Sequence, residues 1–161
     1  MKLLLAILGS AIIALTACSL GSSGKKAETA EKPSESYRDT TEDEDMKMKI
    51  SVNGTELTAT LAETAAAKEL AEKLKAEPVT VTLDEYGGFE KVGELPWRLT
   101  QTDESIVTEA GDIMLYQGSQ MTIFYDSNSW SYTRLGSIDD ITGEELADLF
   151  GDGSITVTLS Y

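Results

Sequence analysis

Carboxylates are the side chains with which this chain could do acid–base chemistry. It carries 28 aspartates and glutamates against 13 lysines and arginines, with no histidine and a single cysteine. Histidine is the group that most easily transfers protons at neutral pH, so the commonest catalytic acid or base is missing. In so acidic a chain, adjacent carboxylates are typical of solvated surface, and we predict no catalytic residue among the pairs Asp103 and Glu104, Asp139 and Asp140, and Glu144 and Glu145.

The sequence also gives no support for a metal, cofactor or nucleic-acid site. Residues 126–130, DSNSW, begin as a calcium loop does, but they lack the glycine and the twelfth-position glutamate that such a loop needs. A turn held by Asp and Asn side chains explains them more simply. The net charge of −15 opposes binding to a phosphate backbone. We expect no metal, no cofactor and no nucleic-acid partner.

The stretch DEYGGFEKVGELPWRL, residues 84–99, raises the question of a binding site. Gly87 and Gly88 predict a turn that ends a strand begun at Val79. Glu90 and Lys91 are neighbours, so in an extended segment they point to opposite sides and need not pair with each other.

Two roles of this stretch are compatible with each other. Pro96 ends the extended segment and Trp97 can cover a sheet edge, which favours a covered corner of a sheet. In the second role its aromatic and charged groups form one rim of a ligand cleft.

The elements around this stretch are mostly strands of alternating polarity. Residues 46–52, MKMKISV, alternate strictly, and the Asn53-Gly54 pair predicts a hairpin into a second alternating strand. Further strands are predicted at residues 79–83, on both sides of QGSQ within residues 112–126, at 131–138 and at 154–161. Residues 100–111 are predicted to form a polar loop.

Two helices are predicted among these strands. The first spans residues 60–78, where Thr60 and Glu63 have the spacing of a capping box and Pro78 ends the segment. The second begins with Thr142 and Glu145 at the same spacing, and Gly151 is its expected end. About eight short strands with one polar face and two short helices predict a mainly β fold, as a closed barrel or a two-layer sandwich.

Four segments of the second half resemble cyclophilins in their order: GSQMTIFYD, YTRLGSI, GEELADLF and SITVTLSY. The NG hairpin, the segment from Tyr86 to Pro96, GDIMLY and LGSI resemble the bacterial cyclophilin-like proteins more closely. The resemblance covers residues 46–161. It implies a closed eight-stranded antiparallel barrel capped by two helices.

The resemblance also implies where a ligand would bind. The strands beside the binding face of that fold carry a set of aromatic residues here, and nearby polar side chains can supply recognition. The alternative is that the rings fill the barrel or cover its ends. The candidate ligand-binding residues are Tyr86, Glu90, Lys91, Arg98, Tyr116, Gln120, Phe124, Trp130, Tyr132 and Arg134.

Departures from the family pattern argue against catalysis. Prolyl isomerases of that fold carry a catalytic arginine after a histidine in an FHR run, and this chain has no such run. Thr122 stands where the resemblance implies a pocket phenylalanine, and Tyr132 falls near the family's histidine. Arg98 or Arg134 would have to supply the guanidinium.

The N-terminus resembles a bacterial lipoprotein signal. Lys2 precedes an apolar run that is too short to span a bilayer, and the run ends in LTAC, which resembles a lipobox. The resemblance implies a signal peptide over residues 1–17 and a diacylglycerol on Cys18. The alternative is an ordinary secretory signal with a chance cysteine. Residues 18–45 are predicted to be a disordered acidic tether to a domain at residues 46–161.

Three functions follow as expectations. The first is a lipid-anchored domain on the extracytoplasmic side of the cell membrane that binds a peptide or a small ligand without catalysis. The second is an extracytoplasmic prolyl isomerase with a non-standard site. The third is an accessory subunit that docks on another envelope protein through a sheet edge.

Overall fold

A computed structural model describes residues 46–161, and the predicted signal peptide (1–17) and tether (18–45) lie outside the described residues. Within this range the chain forms nine strands and two helices. In chain order these are β1 (Lys47–Val52), β2 (Thr55–Leu61), α1 (Ala65–Ala76), β3 (Val79–Tyr86), β4 (Glu90–Glu94), β5 (Glu104–Thr108), β6 (Asp112–Tyr116), β7 (Gln120–Phe124), β8 (Asn128–Ile138), α2 (Gly143–Phe150) and β9 (Ile155–Ser160).

Eight of these strands close into an antiparallel barrel, which confirms the predicted fold class. Their order is β2-β1-β9-β3-β4-β7-β6-β8, and the end of β8 returns to β2 through the pairs Ala59–Ile138 and Leu61–Gly136. A Cβ atom on Gly136 would collide with the carbonyl oxygen of Thr60. The closing strands can approach each other because this position lacks a side chain.

The prediction of a polar loop at residues 100–111 is wrong, because this segment contains β5. The strand pairs with the first half of β8, from Glu104–Tyr132 to Thr108–Asn128. Its one large buried apolar residue is Ile106, while Val107 is 71% exposed. A strand with a single buried large side chain shows almost no apolar alternation, so its sequence does not indicate a strand.

The first helix begins later than the Thr60–Glu63 spacing predicts. Its N-cap is Thr64, whose hydroxyl accepts a hydrogen bond from the Ala67 N–H at 3.1 Å. Thr60 belongs to β2, where its hydroxyl donates to Asp139 Oδ1. The strand ladder at the barrel closure holds Thr60 in extended structure, and the predicted capping box is wrong.

The second helix begins and ends as predicted. The Glu145 N–H donates to the Thr142 hydroxyl at 3.3 Å, and the Thr142 N–H donates back to Glu145 Oε2 at 2.9 Å. Gly151 ends the helix with a φ of 60°. These contacts satisfy backbone donors that the first turn would otherwise leave open.

Buried apolar side chains form two clusters on the two faces of the barrel wall. The large cluster fills the barrel and includes the inward faces of β1 and β9 together with Leu70 and Leu74 of α1 and Leu146 and Phe150 of α2. The small cluster lies on the outer face and consists of Ile106, Met114, Phe124 and Tyr132, with Phe89 and Tyr116 packed against it. We call it the outer cluster.

Lys91 of β4 is a buried cation inside the barrel. It pairs across the sheet with Ile123, a core residue, so both side chains point inward. Its side chain is 1% exposed. Its amine donates to the carbonyl oxygens of Gly151 and Gly153 at 2.8 and 2.7 Å and lies 2.7 Å from Glu85 Oε2. Three acceptors therefore replace the water that burial removed.

We expect Lys91→Met to lower the free energy of unfolding by about 3 kcal/mol, because two carbonyls and the Glu85 carboxylate lose their shared partner. Chemical denaturation measures the change. Lys49→Met is the matched control, since Lys49 forms an exposed pair with Glu56 and its loss should cost less than about 1 kcal/mol. Equal effects of the two substitutions would contradict this role of Lys91.

Candidate functional site

An open cleft of about 460 Å³ lies on the outer face of the barrel wall. It crosses β3, β4, β7, β6 and β8, and we call it the outer-face cleft. Its lining consists of five aromatic rings, one carboxyl group and four smaller side chains. These residues are Tyr86, Phe89, Glu90, Val92, Tyr116, Gln120, Thr122, Asn128, Trp130 and Tyr132.

Strand register brings most of these side chains together. Glu90 lies opposite Tyr86 of β3 and Phe124 of β7, and Val92 lies opposite Thr122. Residues that are paired across antiparallel strands point to the same face, so these side chains all face outward. On β8, successive outward positions Asn128, Trp130 and Tyr132 complete the lining by the same period of two.

The turn between β3 and β4 places the remaining ring. Gly87 and Gly88 both have positive φ, 69° and 78°, which permits a tight hairpin turn. A Cβ atom on Gly87 would collide with the Phe89 ring, so this ring lies directly against the glycine. The Phe89 carbonyl accepts hydrogen bonds from the Tyr125 and Asp126 N–H groups at 3.0 and 3.2 Å, which ties the turn to the end of β7.

Four of the lining rings, together with Phe124, form a continuous chain along the wall of the cleft. Phe89 and Phe124 are nearly parallel with centroids 6.3 Å apart, and Phe124 meets Tyr132 edge-on at 5.4 Å. Tyr86 extends the chain beyond Phe89 at 6.2 Å, and Tyr116 extends it beyond Tyr132 at 6.1 Å. Edge-to-face and offset contacts of this kind add to the packing energy, so the rings are held in place without a ligand.

Glu90 is the buried charge of the cleft. It is only 5% exposed, and neither its Oε2 nor the hydroxyl of Thr122 has a hydrogen-bond partner among the described residues. Burial raises the pKa of Glu90 to about 7. The Thr122 hydroxyl, which lies near the carboxyl outside hydrogen-bond geometry, acts to lower this pKa, and the charge of Glu85 adds to the rise. Burial, and then the nearby Glu90, also raise the pKa of Tyr132. The cleft therefore resists additional negative charge.

A second cavity of about 290 Å³ lies beside the C-terminal end of α2. Two of its three charged side chains are already paired, because Lys91 contacts Glu85, and Glu85 accepts a hydrogen bond from the Tyr125 hydroxyl. The third, Asp152, is exposed. Partial burial acts to raise the pKa of Glu85, but the contacts from Lys91 and Tyr125 outweigh it and the pKa is lowered. Burial, with Glu85 beside it, raises the pKa of Tyr125. These internal partners make the cavity a weaker candidate than the cleft.

The structure brings together six of the predicted ligand residues in the outer-face cleft: Tyr86, Glu90, Tyr116, Gln120, Trp130 and Tyr132. Phe124 is fully buried behind them in the outer cluster.

The three predicted basic residues lie elsewhere. Lys91 points into the barrel, Arg98 donates to the Gln117 carbonyl at 2.8 Å, and Arg134 forms an ion pair with Asp112 at 2.8 Å.

Four lining residues were not among the predicted ligand residues. Val92, Thr122 and Asn128 each lie two positions from a predicted residue on the same strand, so the period of two would have found them. Phe89 follows the glycine turn, where no strand period applies. Only the backbone conformation of Gly87 and Gly88 directs its ring into the cleft.

Residues 46–161 lack two further kinds of feature. Over that range, no group of three or more Asp, Glu, Cys or His side chains could hold a metal ion. In the same part of the chain, no helix has the length and apolar composition to cross a membrane.

Comparisons with known proteins concern the barrel. The model of a family described as "Cyclophilin-like family" matches residues 50–160. The solution structure of the hypothetical protein AF2241 from Archaeoglobus fulgidus is 17% identical, covers 71% of this chain and 93% of its own, and superposes with a TM-score of 0.49. No curated protein matches the chain.

We expect Glu90 to make the protein less stable as the pH rises from about 4.5 to about 7. In that window the folded state keeps a proton that the unfolded chain releases, so the free energy of unfolding falls by up to about 3 kcal/mol. Glu90→Gln should abolish this fall and exceed the original protein in stability above about pH 7. Urea unfolding across this range measures the effect.

Glu94→Gln is the matched control, because Glu94 is an exposed residue of the same strand. It should keep the original pH profile. The lowered pKa values of Glu85 and Asp139 act below about pH 4.5, where they make stability rise with pH, and do not overlap the window. A flat profile of the original protein over this window would contradict the assignment.

Proposed function

Since this chain belongs to the cyclophilin-like family, we propose that its barrel binds a peptide or a small organic ligand in the outer-face cleft without converting it, and that a lipid on Cys18 anchors it outside the cell membrane. The observation that carries the proposal is a ready-formed aromatic cleft in which two buried polar groups, Glu90 Oε2 and the Thr122 hydroxyl, lack partners.

The cleft has the size and lining of a ligand site. Its volume of about 460 Å³ falls in the range of about 300–1,000 Å³ that is usual for small-ligand pockets. Such pockets combine apolar walls with a few placed polar groups, as the rings, Glu90, Gln120 and Thr122 do here. The ring-to-ring contacts hold the walls in place, which reduces the entropy lost when a ligand binds.

Binding without catalysis is favoured by the positions of the guanidinium groups. The resemblance to prolyl isomerases implies an arginine in the cleft, but Arg98 contacts the Gln117 carbonyl and Arg134 contacts Asp112. The polar group buried in the cleft is a carboxyl, which does not stabilise a twisted amide as a guanidinium would. The isomerase with a non-standard site is the alternative that the assay below tests.

Docking on an envelope protein is a second candidate, favoured by β5. Within residues 46–161, this strand pairs with β8 and with no other strand, so one of its edges carries free backbone donors and acceptors. A partner strand could extend the sheet at that edge. Crosslinking followed by co-purification, with proline substituted in β5 as the control, would test it.

The lipid anchor is supported by the sequence around Cys18 and by charge. The ending LTAC resembles a lipobox, and the chain has no other cysteine. A net charge of −15 would repel anionic lipid headgroups, so a protein held at such a membrane needs an anchor of another kind. Two acyl chains give stable attachment where one gives only marginal binding.

We expect proline-containing and aromatic peptides to raise the melting temperature of the protein, because a ligand that binds only the folded form stabilises it by about 2.7 kcal/mol at a hundredfold excess over its Kd. Gln120→Trp should abolish the rise by filling the cleft. Gln101→Trp is the control at an exposed site outside the cleft. A rise that survives Gln120→Trp would place the ligand elsewhere.

The same peptides test catalysis. Their prolyl bonds should isomerise at the uncatalysed rate in the presence of the protein. Catalysis that is lost in Arg98→Ala or in Arg134→Ala would establish the isomerase instead.

We expect cells grown with labelled palmitate to label the protein and the Cys18→Ser variant to stay unlabelled, because Cys18 supplies the one thiol. Immunoprecipitation and mass measurement follow the label. Ser23→Ala is the control and should be labelled normally. Label that persists in Cys18→Ser would exclude this attachment site.

A further inference from the structure

We infer that the outer-face cleft selects a ligand with an organic cation, whose ammonium group is held between the Glu90 carboxylate and the surrounding aromatic rings. This inference rests on the proposed function, since it names the chemical class that the same cleft would bind.

Glu90 is the first reason. It is 95% withdrawn from solvent, it lines the cleft, and its Oε2 has no hydrogen-bond donor among the described residues. A buried carboxylate without a partner is costly, and a bound cation with N–H groups would supply both the charge and the hydrogen bond.

The neighbouring cations cannot meet this need. Lys91 is next to Glu90 in sequence, but the pleat of β4 turns it into the barrel, where three acceptors hold its amine. Arg134 is held by Asp112, and Arg98 by the Gln117 carbonyl. None of these three cations therefore pairs with Glu90, which leaves its carboxylate available to a bound cation.

The rings are the second reason. Tyr86, Phe89, Tyr116, Trp130 and Tyr132 line the cleft around one carboxyl group, and its lining contains no basic side chain. Aromatic faces attract ammonium groups with about 0.5–2 kcal/mol each, more when water is excluded. The net charge of the chain, −15, further concentrates cations near its surface.

The protonation behaviour of the cleft agrees with this geometry. The raised pKa values of Glu90 and Tyr132 both describe a site that resists added negative charge. The titratable and charged groups on the strands that line the cleft with Glu90 are Asp84, Glu85 and Tyr86 on β3, Lys91 and Glu94 on β4, Asp112 and Tyr116 on β6, and Tyr132 and Arg134 on β8. A cation beside Glu90 would lower its pKa, so binding should release a proton near neutral pH.

The cleft has room for a ligand larger than an ammonium ion. A volume of about 460 Å³ leaves room for an apolar body beside the charged head. Two sources share this chemistry, a small amine and the lysine side chain of a peptide, and the experiment has an arm for each.

The test compares each cation with a neutral molecule of the same shape, by calorimetry on the full chain. Choline is paired with 3,3-dimethyl-1-butanol, and N-acetyl-lysinamide is paired with N-acetyl-2-aminoheptanamide, in which a methyl group replaces the ammonium. We expect the cation of at least one pair to bind about tenfold or more tightly than its neutral counterpart. The pair that shows the preference identifies the source.

Glu90→Gln keeps the shape and removes the charge, and it should erase this preference, whereas Glu94→Gln should leave it intact. Trp130→Leu should weaken cation binding about threefold, and because Trp130 is 60% exposed its loss should not disturb folding. In the original protein, the affinity for choline should fall as the pH drops through about 7, while Glu90→Gln should show no such fall.

Each outcome of these experiments supports or overturns one of the two proposals. Neutral molecules that bind as tightly as the cations, or a preference that survives Glu90→Gln, overturn the cation inference. If neutral or proline-containing ligands still bind in a manner sensitive to Gln120→Trp, the proposed function stands without it. If none of these ligands binds in the cleft, the inference and the proposed function both fail.

Discussion

The pleat of β4 separates two buried charges that are adjacent in sequence. Lys91 points into the barrel and is saturated by Glu85 and two carbonyls near the end of α2, while Glu90 points to the outer face and keeps an unpaired oxygen. Had the two side chains shared a face, they would have neutralised each other. Because successive strand residues alternate in direction, one charge serves the stability of the barrel and the other remains available to a ligand.

The two faces of the wall therefore carry different energetic roles. The inner face holds the large apolar cluster that supplies most of the stabilisation. The outer face carries a small cluster around Phe124 and Tyr132, part of which lies under β5. This outer cluster supports the rings of the cleft, so the site rests on rigid strands and does not need a loop to close before it has its shape. A carboxyl group that lowers stability can persist there because the inner face compensates for it.

Strand periodicity explains what the sequence could reveal. The alternation of β1 and β9 and the Thr142–Glu145 capping box are local patterns, and they predict the barrel and its second helix correctly. The sequence does not indicate β5, because Ile106 is the one large buried residue of that strand. It wrongly indicates a helix start at Thr60, because strand pairing across the barrel closure overrides the local helix signal. The resemblance to cyclophilin-like proteins and the alternation of side chains along a strand together predict the cleft rings on β6 and β8. The actual partners of Lys91, Arg98 and Arg134 depend on long-range contacts that no local pattern contains.

The depth of the cleft depends on the absence of a side chain at Gly87. The Phe89 ring rests where the side chain of residue 87 would be, and it also stacks on Phe124 at the back of the wall. Any larger residue at position 87 would have to displace this ring, and with it the depth of the cleft, while the barrel ladder stays untouched. Related proteins could thus differ in the shape of the molecule they bind through a change at this hairpin turn. Such a change would leave the folding of the barrel unaffected.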